Sequence, residues 1–201
     1  MSSPRSVVLA STSKSRAFVL KNAGVPFTAE NSFVDEDSVK DALRAENATA
    51  AHCAEVLAEM KAVKVSQKHP ESLVIGGDQM LECDGRWFDK PTDLNVARTQ
   101  LMALRGKKHQ LMNSLVVALN GQRIWHFANS PEITVRDFSD AFLDDYLAHV
   151  GDAALHSVGG YQLEGLGAQL FTKIEGDFFS ILGLPLLPLL AFLREHGILK
   201  K

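Results

Sequence analysis

Residues Leu9-Ala10-Ser11-Thr12-Ser13-Lys14-Ser15-Arg16 have the types and spacing of a phosphate site. A short apolar stretch, Val7 to Leu9, runs into small hydroxyl residues and then into an arginine. The following segment, Ala17 to Asn22, reads as helix and stops at Gly24. A strand that ends in hydroxyls at a helix start aims free N–H donors, a helix dipole and a fork-shaped cation at one point. The same residues also read as an ordinary Ser/Thr cap on a surface helix.

Two further groups complement that turn. The acidic set is Asp35, Glu36 and Asp78, the last following Gly76-Gly77 at the end of an apolar run. Carboxylates so placed can hold a hard cation or orient a water. The lysines are Lys61 and Lys90. Phosphate chemistry assisted by a divalent ion needs both kinds of group at once. Each group also has a plain reading: a solvated acidic loop, an exposed helix face for Lys61 and Lys64, and a turn residue for Asp78. No HExxH motif, nucleophile elbow or Walker motif occurs, and Gly159-Gly160 with Gly165-x-Gly167 lacks the strand–helix setting of a dinucleotide site. Asp145 and His149 suit a surface helix pair.

The elements that must position these residues follow from periodicity. Residues 5–10 read as a strand, 13–22 as a helix, and 27–33 as a strand ending at the acidic cluster. Residues 49–66 read as a helix with Cys53, Val56, Leu57, Met60 and Val63 on one face. Leu73-Val74-Ile75 is a short buried strand expected to break at Gly76-Gly77. Asp84-Gly85 and Asn120-Gly121 are hairpin turns. With Cys83 opposite Arg86, counting outward sets Gln79 opposite Lys90, beside Asp78. Asp93 to Leu104 reads as a helix closed by Gly106. His109–Leu119 and Gln122–Val135 flank the second turn. Ser139 caps a helix to about Val150, residues 151–183 read as strands and loops, and Pro185–Glu195 is a closing helix. The order is that of an α/β protein: a mixed twisted sheet with helices, in two lobes flanking a cleft.

The 201 residues suffice for one large domain, taken as 1–201. With 21 Lys and Arg against 24 Asp and Glu, the formal charge of −3 advertises neither nucleic acid nor an anionic membrane. Cys53 and Cys83 form no CxxC and suit a reducing compartment, each as a small buried apolar residue. The apolar run Ile181–Leu193 is interrupted by prolines and too short to span a bilayer. A cytoplasmic location is expected.

Taken in order, the motifs resemble the Maf (septum-formation-inhibitor-like) family nearly end to end. They are Leu9-Ala10-Ser11-Thr12-Ser13-x-x-Arg16, Asp35-Glu36, Lys61-Ala62, Gly76-Gly77-Asp78-Gln79, Lys90-Pro91, Gly106-x-x-His109, Tyr161-x-x-Glu164-Gly165-x-Gly167 and Gly183-Leu184-Pro185-Leu186. The resemblance implies a homodimeric nucleoside triphosphate pyrophosphatase. Such an enzyme cleaves the α–β phosphate bond with help from magnesium or manganese, in a house-cleaning role. By position, Asp78 would activate the water. Ser13, Arg16, Lys61 and Lys90 would contact phosphates. Glu36, with Asp78, would support the metal. Gln79 and Glu164 match the subgroup acting on 7-methyl-GTP rather than the one acting on dTTP and UTP. A carboxylate can accept two hydrogen bonds from a guanine edge. The chain departs from the family at Lys14 and Ser15: Ser15 stands where that subgroup has a base-facing tryptophan, and Lys14 replaces proline. Two other readings stay open: a nucleotide-binding regulator of cell division with little turnover, and a dTTP/UTP-preferring pyrophosphatase.

Overall fold

The computed structural model describes residues 5–200, so the first four residues and Lys201 of the 1–201 range lie outside it. The strands are β1 (Val7–Leu9), β2 (Thr28–Ala29), β3 (Leu73–Cys83), β4 (Arg86–Phe88), β5 (Lys108–Leu119), β6 (Gln122–Asn129), β7 (Glu132–Val135) and β8 (Phe171–Glu175). The helices are α1 (Lys14–Asn22), α2 (Glu36–Ala45), α3 (Ala50–Ser66), α4 (Leu94–Leu104), α5 (Asp140–Val150), α6 (Phe178–Ile181) and α7 (Leu186–Glu195). The strands form one mixed sheet in the order β2-β1-β3-β5-β7-β8, with β4 paired to β3 and β6 to β5. Pairing is parallel for β1 with β2 and β3, and antiparallel in both hairpins and along β7 and β8. The α/β class expected from the order of elements is the class observed.

The chain divides into two compact units. The first comprises the residues up to Gln79, Asn113–Asn129 and the residues from Phe178 on; the second comprises Met80–Met112 and Ser130–Asp177. In the first unit the apolar run Val7–Leu9 is buried along its whole length, as a strand with neighbours on both edges must be. Leu9, Leu20, Leu57, Leu73, Ile75 and Leu115 are fully buried there. In the second unit Leu81, Leu101, Leu104, Leu111 and Ile133 are fully buried. Each of these side chains stabilises its unit by roughly 1.5–3 kcal/mol.

Helix starts follow their caps. Ser13, Thr49, Asp93 and Ser139 each accept a hydrogen bond from the backbone N–H three residues on. Asp35 does the same for Ser38, so Glu36 and Asp37 open α2 rather than lying in a solvated loop. Acidic side chains in a first turn favour that assignment through the helix dipole.

Four other expectations are corrected. The expected strand at 27–33 is reduced to Thr28–Ala29, because the chain turns at Asn31, whose Oδ1 accepts from the Phe33 N–H, with Phe33 at a φ of +51°. β3 does not break at Gly76-Gly77 but continues to Cys83. The expected strand Gln122–Val135 is split at Ser130-Pro131 into β6 and β7, since a proline lacks the donor a ladder needs. The buried face of α3 runs through Cys53, Ala54, Leu57, Ala58, Lys61, Ala62 and Val65, while Met60 is exposed. The stripe read from large residues is thus displaced toward the alanines. Residues 151–183 hold three short 3-10 turns, β8 and α6. The Asp84-Gly85 hairpin has the expected register, Cys83 opposite Arg86, out to Leu81 opposite Phe88. There the ladder ends, and the Asp89 carbonyl accepts from Gln100 Nε2 instead, so the outward count to Gln79 and Lys90 runs past the paired residues.

Candidate active site

The first unit gathers Ser13, Ser15, Arg16, Glu36, Lys61, Asp78 and Gln79. At the β1–α1 turn, Ser13 caps α1 by accepting from the Arg16 N–H, and Ser11 Oγ accepts from the Ser13 N–H. Arg16 itself is buried. Its Nε donates to the Gly183 carbonyl at 2.8 Å and its Nη1 to Ser11 Oγ at 3.4 Å. Burial lowers the pKa of the guanidinium, while Asp78 and Glu36 oppose the shift. An arginine stays charged at any working pH. Lys14 is exposed and Ser15 half-buried in the first turn of α1.

The Gly-Gly pair explains how a helix reaches the strand. A Cβ on Gly76 would meet the Ala58 carbonyl oxygen at 2.2 Å and the Ala62 nitrogen at 2.7 Å. Hydrogen in place of a side chain, facing alanines, lets α3 lie directly on β3. A Cβ on Gly77 would meet Leu115 at 2.8 Å and Arg16 Nε at 3.3 Å, so that glycine makes room for the guanidinium on the opposite face. The close approach brings Lys61, from α3, to Asp78, from β3.

Lys61 Nζ donates to Asp78 Oδ1 at 2.7 Å and lies 2.8 Å from Glu36 Oε1. Lys61 and Asp78 are both about 5 % exposed. A charge held that deep needs a partner, and here one ammonium serves two carboxylates. Burial raises the Glu36 pKa, but Lys61, Lys40 and Arg16 outweigh it and hold the carboxyl below its ordinary range. Asp78 Oδ2 is buried and has no hydrogen-bond partner. A carboxylate oxygen without a partner, beside the Lys61 ammonium, can take a proton from water or bind a cation.

Gln79 points to the other face of β3. Its Nε2 donates to Asn113 Oδ1 at 3.0 Å and to the carbonyls of Ser180 at 3.1 Å and Ile181 at 3.2 Å. Asn113 and Asn129 stand opposite each other on β5 and β6 and are themselves hydrogen-bonded. Sequence reasoning missed these asparagines and the Gly183 carbonyl.

Lys90 and Glu164 belong to the second unit, where both are exposed. Lys90 follows β4, and Glu164 sits in the turn before the third 3-10 segment. His109 lies buried in the same unit, with Nε2 sharing a 2.7 Å hydrogen bond with the Tyr161 hydroxyl and Nδ1 unpartnered. Burial lowers its pKa to about 4 and raises that of Tyr161.

Among the described residues no cluster of three or more His, Cys, Asp or Glu could hold a metal unaided. The donor set at Lys61 is two carboxylates. That is the set expected where a magnesium-type ion is shared between protein and substrate phosphates, and the unpartnered Asp78 Oδ2 is compatible with it. No helix among the described residues is long and apolar enough to cross a membrane. Cys53 and Cys83 are buried and unbridged.

The family described as "Maf-like protein" matches residues 6–196. A nucleoside triphosphate pyrophosphatase of Paramagnetospirillum magneticum is 55% identical over 190 residues, spanning 94% of this chain and 98% of the relative. One of Rhodospirillum rubrum is 53% identical over 193 residues, spanning 96% of each chain. A 7-methyl-GTP pyrophosphatase of Brucella abortus is 47% identical over 190 residues, spanning 94% of this chain and 96% of the relative.

Proposed function

The chain belongs to the Maf-like family, and from that premise we propose that it is a nucleoside triphosphate pyrophosphatase, a hydrolase of acid anhydrides that releases a nucleoside monophosphate and pyrophosphate. The observation that carries the reading is Asp78. One of its oxygens is locked on Lys61, and the other is buried with no hydrogen-bond partner.

In this reading Asp78 Oδ2 accepts a proton from a water molecule as the water oxygen bonds to the α-phosphorus. The bridging α–β P–O bond breaks, and its electron pair leaves with pyrophosphate. Arg16, oriented by Gly183, stabilises the charge that develops on the phosphates, and the hydroxyl of Ser13 contacts a phosphate oxygen. Lys61 has three N–H donors and spends two on carboxylates, so the third is available to a phosphate. Glu36 and Asp78 would hold magnesium or manganese, which when bound neutralises triphosphate charge. Lys90 as a phosphate contact and Glu164 as a base contact rest on their matching motif positions.

The proposed substrate is a purine triphosphate of the 7-methyl-GTP type. Gln79 and Glu164 support it, as do relatives with that printed name. Unbridged cysteines support a cytoplasmic setting, and family membership supports a homodimer. The test is a nucleotide panel with magnesium or manganese and a pyrophosphate assay. Release from 7-methyl-GTP or another triphosphate is expected. Release from none of them overturns the proposal and leaves the nucleotide-binding regulator.

A further inference from the structure

We infer that His109 and Tyr161 are positioning residues for base preference, acting by holding the loop that carries Glu164. This rests on the reading of Glu164 as a base contact. Neither residue takes part in the proposed hydrolysis. His109 lies on β5 opposite Ile133 of β7, so its ring is carried by a paired strand. Its Nε2 shares a 2.7 Å hydrogen bond with the Tyr161 hydroxyl, and both side chains are buried. Tyr161 opens the loop that runs to Phe171, the first residue of β8.

The seat of Tyr161 is closely built. A Cβ on Gly159, whose φ is +78°, would meet Tyr161 Cε1 at 2.8 Å and Leu81 Cδ1 at 2.7 Å. Ser157 Oγ donates to the Tyr161 carbonyl. The Tyr161 ring meets Phe171 edge-on, with centroids 4.8 Å apart, and the His109 ring lies 6.4 Å from Phe171. Three rings thus join both ends of the loop at its base. The neck is closed as well. A Cβ on Gly167 would lie 2.4 Å from the Gln162 carbonyl oxygen, so backbone passes directly over backbone there. The Gly165 N–H donates to the Gln162 carbonyl at 3.2 Å, and the Ala168 N–H to the Gly165 carbonyl at 3.1 Å. Glu164 stands at the exposed tip. A loop tied at its base and across its neck has few ways to place its tip. All of these groups lie within the second unit.

Tyr161→Phe removes the hydroxyl and keeps the ring edge on Phe171. Its KM for 7-methyl-GTP should rise about three- to tenfold, the worth of one hydrogen bond to the base. Its kcat, and both constants for UTP, should stay within about twofold, because only binding of the base is weakened. His109→Leu should behave alike. His109→Gln, which returns a hydrogen-bonding group near the Nε2 position, should recover most of the loss. In a Glu164→Gln background Tyr161→Phe should cost less than about twofold, since residues that act as one unit are non-additive. Amide hydrogen exchange needs no substrate. In Tyr161→Phe and His109→Leu it should quicken about three- to tenfold over residues 162–170, while the β5–β7 ladder keeps its protection and so reports a folded protein. An equal rise in KM for both nucleotides, full additivity with Glu164→Gln, or unchanged exchange over 162–170 overturns the inference. Wild-type protein that releases pyrophosphate from no nucleotide, or Glu164→Gln with unaltered base preference, fails the functional reading instead. The exchange measurement still decides whether the two rings hold the loop, so the two failures are distinct.

Discussion

Lys61 and Asp78 meet at 2.7 Å, both more than nine-tenths buried, with Glu36 on the same ammonium. Removing one member of such a pair leaves an uncompensated buried charge. Lys61→Met should destabilise the protein by about 3–5 kcal/mol, read from urea unfolding. Lys61→Met with Asp78→Asn should recover part of that loss, because the stranded carboxylate is gone.

Asp78→Asn alone should lower kcat by about 10²–10⁴, the usual worth of a positioned general base. Nucleotide binding, followed by calorimetry, should survive. Turnover equal to wild type would show that another group takes the proton.

Glu36→Gln should raise the magnesium or manganese concentration for half-maximal activity by about tenfold, the lower end of what loss of a supporting ligand costs. An unchanged metal requirement would remove Glu36 from the metal site.

Gly76→Ala puts a methyl group where backbone of α3 already lies, at 2.2 Å from the Ala58 carbonyl oxygen. Overpacking against backbone costs about 1–3 kcal/mol, which for a chain of this size is a fall of about 2–12 °C in Tm. Activity should fall with it, because α3 carries Lys61. A folded, fully active Gly76→Ala protein would contradict the close approach.

His109 is held neutral by burial, with a pKa near 4 against an ordinary 6.5. Above pH 6.5 neither the folded nor the unfolded form carries its proton, and the group is silent. As pH falls through 6.5 the unfolded chain takes the proton and the folded one does not, so stability declines until about pH 4. The full effect is roughly 3 kcal/mol. The urea midpoint of His109→Gln should therefore change less between pH 6.5 and 4 than that of the wild type.

Hairpins and caps were the most legible parts of the chain. Asp84-Gly85 gave a turn and a correct starting register, and Ser13, Thr49, Asp93 and Ser139 marked four helix starts. Lys61 and Asp78 could be nominated by type, but not their contact. That contact depends on Gly76, which reads locally as a break because its missing side chain matters only when α3 arrives. Asn113 shows the same limit. Counting regularly from Asn120-Gly121 sets it opposite Ala128, but a bulge between Val117 and Ala118 shifts the partner to Asn129. The bulge leaves Ile124 exposed and completes the polar chain that holds Gln79. Nothing in the local sequence announces one extra residue in a strand.

The bond from Arg16 to Gly183 spans 167 positions of the chain. During synthesis the arginine leaves the ribosome early and finds its carbonyl only when translation is nearly over. The first unit cannot reach its final form until the whole second unit has been made, since Phe178 and all that follows belong to the first. The seat of Arg16 is thus among the last parts of the protein to mature, and a truncated product lacking the final segment would carry Asp78 and Lys61 without an oriented Arg16.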